Sequence, residues 1–430
     1  MIDERELELL LKSAKQNSEV EIVEEIYIVD AARSPIGKFL GSLAGEPATS
    51  LGAHVVKGLI GRSGISPRSV EELIVGNVIS AGQGQNIAKQ VVMKSGLAPE
   101  TPAYLVNMVC ASSLKAAGLA YDSIRSGDAQ VIIAGGIESM SNAPFALHGV
   151  RQFHKYGDVD IKSLLDRALE NGVGPEKFEL VDEMLSEGLL DCYSGLHMGS
   201  IAESIGKDYN IGRSEQDEFA LQSHRKAALA QDLGKFDREI IPIDTGNGKM
   251  VRLDEGIRRD TSMEKLAALK PVFDSSGTIT AGNASQLSDG ASFLIIASES
   301  AAGKLGLRPI AKIDSYASSG SLPESYGLAP VQATQKALLK AGVGLDNIDL
   351  IEINEAFCVQ TLGVVKALGI DIKKLNVNGG ATALGHPLGA TGACILSTLI
   401  YAMLDRKKDT GMATLCHGGG GAVTMVVSRV

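Results

Sequence analysis

Short apolar runs alternate with helical stretches along most of the chain. IYIVDAA (26–32), ELIVGNVIS (72–80) and AQVIIAGGIES (129–139) end in glycine or turn residues, the pattern of buried parallel strands. A second series starts near residue 310 with IAKIDSYASSG, continues with DLIEINEAF (349–357) and closes with ATLCHGGGGAVTMVVS (413–428). The two series match piece by piece. IYIVDAARSPIG pairs with IAKIDSYASSG, VEELIVGNVI with NIDLIEINEA, and AQVIIAGGIESM with MATLCHGGGGAVTM. The helix after Cys110 likewise pairs with the helix after His386. This is an internal duplication. It predicts two similar α/β halves whose sheets pack through a shared helical layer, with ligands at the carboxyl ends of the strands.

The pattern divides the chain into four parts. Residues 1–25 read as an acidic helical extension, with Asp3 and Glu6 placed as a capping box. Residues 26–145 together with 283–305 form the first half, and 306–430 the second. Between them, 146–282 holds short charged helices and GNG and SSG turns, an inserted segment expected to lie over the site.

Composition narrows the function. Of 430 residues, 44% are hydrophobic and 21% charged, which rules out wholesale disorder. Tryptophan is absent and the formal charge is −10, so neither stacking platforms nor a basic footprint for nucleic acid is expected. No continuous run of about 18 apolar residues is seen, so no membrane span is expected. The N-terminus resembles neither a secretory nor a transit signal. The five cysteines, Cys110, Cys192, Cys358, Cys394 and Cys416, are scattered and odd in number. That favours reduced thiols and a cytoplasmic setting.

The candidate chemistry lies at four strand-end or helix-start positions. In VNMVCASSLKAAGLA, Cys110 precedes a helix whose N-terminal amides are expected to favour its thiolate. In NVNGGATALGHPLGATGA, His386 sits among glycines that let backbone approach a ligand, and histidine is the usual general base near neutral pH. In LCHGGGG, Cys416 precedes four glycines whose amides suit an anion. In INEAF, Asn354 closes a strand. No spacing of these residues suits a metal, and none is expected. Two thiols, one histidine and one asparagine fit acyl exchange combined with carbon–carbon bond making or breaking.

At this point the chain resembles the thiolase family, from about Glu25 to Val430. The pieces that carry the resemblance are NMVCASSLKA, VIIAGGIESMSNAP, HMGSIAE, TAGNASQLSDGAS, NEAF, NVNGGATALGHPLGATGA and CHGGGG, in family order. The resemblance implies a five-layered α-β-α-β-α core of two repeated halves plus an inserted loop domain. It implies Cys110 as the acyl-carrying nucleophile, His386 as its activator and Cys416 as the acid/base at the α carbon. Asn354 would hold the water of one oxyanion hole with His386, and the amides of Cys110 and Gly418 would form the other. Leu189, His197, Met198, Arg258, Phe273, Ala281, Ser285, Ala356 and Phe357 would line the coenzyme A thioester.

The segment HMG (197–199) resembles the short-chain branch. The implied activity is reversible condensation of two acetyl-CoA to acetoacetyl-CoA plus coenzyme A, with no cofactor beyond these thioesters, in a homodimer or homotetramer. A broader 3-ketoacyl-CoA range stays open. A ketoacyl synthase-like condensing enzyme would show a second histidine in place of NEAF, and a silent thioester-binding protein would not keep both cysteines. His417, Ser113, His224 and Tyr326 depart from common family residues.

Overall fold

The computed structural model describes residues 24–246 and 248–430, so the helix expected over 1–25 lies outside the described residues except for Glu24 and Glu25. The first half runs β1 (Ile26–Arg33), α1 (Ala48–Ser63), β2 (Glu72–Gly76), α2 (Ile87–Ser95), β3 (Ala103–Val106), α3 (Ser112–Ser126) and β4 (Val131–Ser139). Residues 140–287 then leave the main sheet and include α4 (Met198–Asp208) and α5 (Arg213–Asp232). The chain returns through β5 (Ser288–Ser298). The second half runs β6 (Ala311–Gly320), α6 (Ala329–Ala341), β7 (Leu350–Ile353), α7 (Cys358–Leu368), α8 (Thr391–Arg406), β8 (Thr410–His417) and β9 (Gly421–Ser428).

Strand order is β3-β2-β4-β5-β1-β6-β9-β8-β7. The halves mirror each other across the β1–β6 seam, where only Tyr27–Lys312 and Ile28–Ala311 pair. On each side an antiparallel pair is followed by parallel neighbours: β5–β4–β2 in one half, β9–β8–β7 in the other. The apolar run 413–428 is a hairpin rather than one strand. Gly419 and Gly420 at its tip take φ of 80° and 91°, where a side chain would be strained. In the first half the equivalent hairpin, β4 with β5, is opened by residues 140–287.

Apolar faces stack these elements into five layers. α1 and α2 pack on the outer face of the first sheet, and α7 packs on the outer face of the second. α3 and α8 are enclosed between the sheets, in a core that also takes residues from β1, β4, β5, β6, β8 and β9. Helix ends are set by glycines in the left-handed conformation, Gly127 closing α3 at φ 82° and Gly64 closing α1 at φ 70°. Contrary to the expectation of no membrane-length segment, Leu388–Arg406 is long and apolar enough to cross a bilayer, with mean hydropathy 1.5. It is the central core helix, 89% buried by the two sheets.

Close approach of α3 and α8 positions the site. A Cβ on Gly392 would stand 2.5 Å from the Leu114 nitrogen, and one on Gly136 only 2.1 Å from the Gly389 carbonyl oxygen. Ser113, one of the departures from common family residues, is accommodated: its Oγ accepts from the Ala393 N–H at 2.9 Å, satisfying a free amide of the first turn of α8. The start of α3 and the loop before α8, carrying Cys110 and His386, are thereby brought side by side.

Candidate active site

Cys110 sits on an elbow between β3 and α3. The preceding Val109 has φ 46°, a costly conformation for a β-branched residue. The elbow is held by Ser112, whose Oγ accepts from the Met108 N–H at 2.9 Å and donates to the Val109 carbonyl at 2.6 Å. Cys110 lies two residues before the helix and is enclosed with Val109 and Leu189 against Val78, Ile79, Met140 and Leu388. Loss of hydration pushes its thiol up to about 12, while its own amide and the Gly418 N–H pull the other way. The resting group is therefore a thiol, not the thiolate expected from the helix terminus alone. Burial by distant segments outweighs the local dipole.

Cys416, near the end of β8, is fully buried. Its thiol is raised well above the usual range, first by burial and then by the neighbouring Cys110. An ionised Cys110 would disfavour ionisation of Cys416, so Cys416 also rests as a thiol. Gly418 follows at the tip of the hairpin; a Cβ there would lie 3.5 Å from Met198 Sδ and 3.7 Å from Val109 Cγ1. Met198 and the Val109 elbow thus both border Gly418. The Tyr326 hydroxyl donates to the Met198 carbonyl at 2.9 Å. Its ring is buried beside both cysteines, which help hold the phenol protonated.

His386 is buried, and burial pushes its imidazole down to about 4, so it is neutral near pH 7. Its tautomer follows from its partners. The Thr391 hydroxyl donates to the Pro387 carbonyl at 2.9 Å, so Thr391 Oγ1 can only accept the 2.6 Å bond from His386 Nδ1. The lone pair is left on Nε2, where Asn354 Nδ2 donates at 3.3 Å. Asn354 itself is fixed by its N–H to the Thr414 carbonyl, and its buried Oδ1 has no partner among the described residues. The loop carrying His386 is tied down by Glu138, a fully buried carboxylate. It accepts from the N–H groups of Gly389 (2.8 Å), Val78 and Ile79 and from Asn77 Nδ2. Burial still pushes Glu138 up to about 8.

The remaining expected residues fall into two groups. His197 stacks on Phe273 at 4.4 Å between ring centres, and Phe273 meets Phe357 edge-on at 5.9 Å. His197 Nδ1 accepts from the Gly199 N–H and caps α4. The Ser285 N–H donates to the Ala356 carbonyl, and Leu287 bridges to His386, so the strap 283–287 runs between NEAF and the histidine. Ala281 and Arg258 stand apart on exposed ground. The Arg258 N–H donates to Nδ1 of buried His224 at 3.1 Å, and burial pushes that histidine down to about 4. A cavity of about 600 Å³ opens beside the Gly-rich hairpin, lined by Asp191, Tyr193, Leu196, Ile201, Glu324 and Gly419. Another of about 570 Å³, among Arg62, Arg238 and Arg308, touches none of these residues.

Sequence reasoning missed Thr391, Glu138 and the Val109 elbow, and flagged Tyr326 only as a departure. Glu138 carried a signal, an acid closing a wholly apolar run. Thr391 carried none beyond its distance from His386.

Comparison with known proteins agrees with the geometry. Residues 26–300 match the family described as thiolase, N-terminal domain, and 307–429 match thiolase, C-terminal domain. An acetyl-CoA acetyltransferase of Escherichia coli is 48% identical over 94% of this chain and 98% of its own length. One of Chromobacterium violaceum is 46% identical over 94% and 100%. The crystal structure of the Bacillus anthracis acetyl-CoA acetyltransferase superposes with a TM-score of 0.87 at 36% identity, covering 95% of this chain and 99% of that one. With two repeats facing each other across a cysteine pair, and with both domain families matched nearly end to end, the chain belongs to the thiolase family.

Proposed function

We propose that this acyltransferase is an acetyl-CoA C-acetyltransferase, joining two acetyl-CoA into acetoacetyl-CoA plus coenzyme A and running the reverse thiolysis. The observation that carries the reading is the pair of neighbouring thiols, Cys110 taking a hydrogen bond from the Gly418 N–H and Cys416 buried beside it. In the first half-reaction His386 Nε2 takes the Cys110 proton as the sulfur attacks the thioester carbonyl. The amides of Cys110 and Gly418 hold the oxyanion. Coenzyme A thiolate leaves with the proton of Cys416, leaving acetyl-Cys110 and a Cys416 thiolate, while His386 keeps the Cys110 proton on Nε2. In the second, ionised Cys416 removes an α proton from a second acetyl-CoA, whose enolate oxygen faces Asn354 and His386. The carbanion attacks acetyl-Cys110, and the expelled Cys110 thiolate recovers its proton from His386 while Cys416 keeps the α proton. Both thiols end protonated, as they began.

Short-chain specificity is supported by Tyr326, buried beside both cysteines, and by Met198, which borders Gly418. Leu189, His197, Phe273, Ala281, Ser285, Ala356 and Phe357 are assigned to the thioester channel, and Arg258 to the coenzyme's phosphates. Residues 146–282 are read as the cover over that channel. Exposed Phe145 and Leu180, on the small hairpin outside the sheet, support assembly as a homodimer or homotetramer. Five free cysteines support a reducing, cytoplasmic setting. Steady-state thiolysis of 3-ketoacyl-CoA substrates of increasing length tests the reading. The four-carbon substrate should be turned over most efficiently, and equal efficiency at eight or more carbons would favour the broader thiolase activity.

A further inference from the structure

We infer that His417 is a positioning residue that locks the Gly418 amide in place as an oxyanion donor. The inference rests on the proposed role of that amide and names what holds it. The hairpin tip is four consecutive glycines, the most freely rotating backbone a chain can offer. An oxyanion donor must instead be preorganised. His417 and Cys416 are successive residues of β8 and point to opposite faces, so with the thiol directed at the site the imidazole lies behind it. There Nδ1 donates to the Gly418 carbonyl at 2.7 Å; a carbonyl can only accept, so Nδ1 carries the proton. This bond closes a small ring around the peptide linking His417 to Gly418 and fixes the rotations on either side of the Gly418 N–H. That N–H is the one directed at the Cys110 sulfur. The ring lies against Gly421, its cross-strand partner, where an added Cβ would come within 2.3 Å of Nε2. The imidazole and the missing side chain at Gly421 thus form one fitted unit.

The test uses His417→Ala and His417→Asn in the full-length chain. The asparagine amide nitrogen reaches the place of Nδ1, so it should restore the bond. Acetylation of Cys110 by acetyl-CoA is followed by rapid quench. The carbonyl stretch of acetyl-Cys110 is read by infrared spectroscopy in a Cys416→Ala background, which halts condensation. We expect His417→Ala to slow acetylation about tenfold or more with the KM for acetyl-CoA nearly unchanged, and to move the carbonyl band to higher wavenumber as its hydrogen bond weakens. His417→Asn should keep rate and band close to those of the parent. An unmoved band and a parental rate in His417→Ala, or an asparagine variant as impaired as the alanine one, would overturn the inference. Failure of the parent to form any acetyl-Cys110 would instead refute the underlying assignment of the site.

Discussion

A single 2.6 Å hydrogen bond from His386 Nδ1 to Thr391 Oγ1 decides which nitrogen of the buried imidazole can act as a base. Thr391→Val removes the acceptor and frees the ring to flip tautomer. Second-layer partners of this kind are worth about 10- to 100-fold in activity. We expect a loss of that size in the rate of Cys110 acetylation, with Thr391→Ser close to the parent. Equal rates in the valine and parent chains would show that the tautomer is set elsewhere.

The ionisation of Cys110 gives a second expectation. Burial raises its thiol from the ordinary value to about 12, so the thiolate fraction climbs about tenfold per pH unit well past pH 9. Alkylation by iodoacetamide, with the Cys110 peptide quantified by mass spectrometry, should therefore rise without a plateau between pH 7 and 10. A plateau below pH 9 would mean that the helix terminus and the Gly418 amide outweigh burial.

The two cysteines should separate under labelling. Cys110→Ala is expected to take no radioactive acetyl group from acetyl-CoA. Cys416→Ala is expected to carry the label on Cys110 yet lose condensation and thiolysis by at least about 10²-fold, the scale of a general acid/base. Label found on Cys416, or near-normal condensation without it, would reverse the assignment.

Glu138, fully buried, accepts four N–H donors. Glu138→Ala strands them, and each buried unsatisfied donor costs about 1–3 kcal/mol. The denaturation midpoint should fall by several kcal/mol equivalent, with activity lost through the His386 loop. A shift under about 1 kcal/mol would place the carboxylate outside the structural frame.

Arg258 is exposed, and its proposed partner is the coenzyme's phosphates rather than the reacting carbon. Arg258→Ala should raise the KM for coenzyme A about tenfold while turnover changes little, the mark of uniform binding. An unchanged KM would leave the guanidinium in solvent.

Much of this was legible before any coordinates. The duplication is written in the apolar runs, and β1 with β6, β2 with β7 and β4 with β8 correspond as the sequence pairing anticipates. Strand partnership was harder. β4 and β5 pair over nearly their whole length although residues 140–287 separate them, and periodicity carries no information about partners so far apart. The four reactive residues were visible as types in glycine-rich settings. Their electrostatics were not. The helix-terminus argument for Cys110 uses only neighbours in sequence, whereas the groups that exclude water from it, such as Ile79, Leu189 and Leu388, come from three other segments. Thr391 escaped notice because a threonine on a core helix looks like any other buried hydroxyl until its acceptor role is seen.

The narrow seam between β1 and β6 has an implication for how the two repeats divide their labour. Cys110 and its elbow come wholly from the first copy, while Cys416, His386, Asn354 and the hairpin amide come wholly from the second. On the roles proposed above, one copy carries the acyl group and the other handles every proton, so neither would turn over alone. Severing the chain between β5 and β6 would therefore give two inert fragments. Any turnover regained on mixing them would report faithful re-docking of α3 against α8, making catalysis itself the assay for assembly of the duplicated halves.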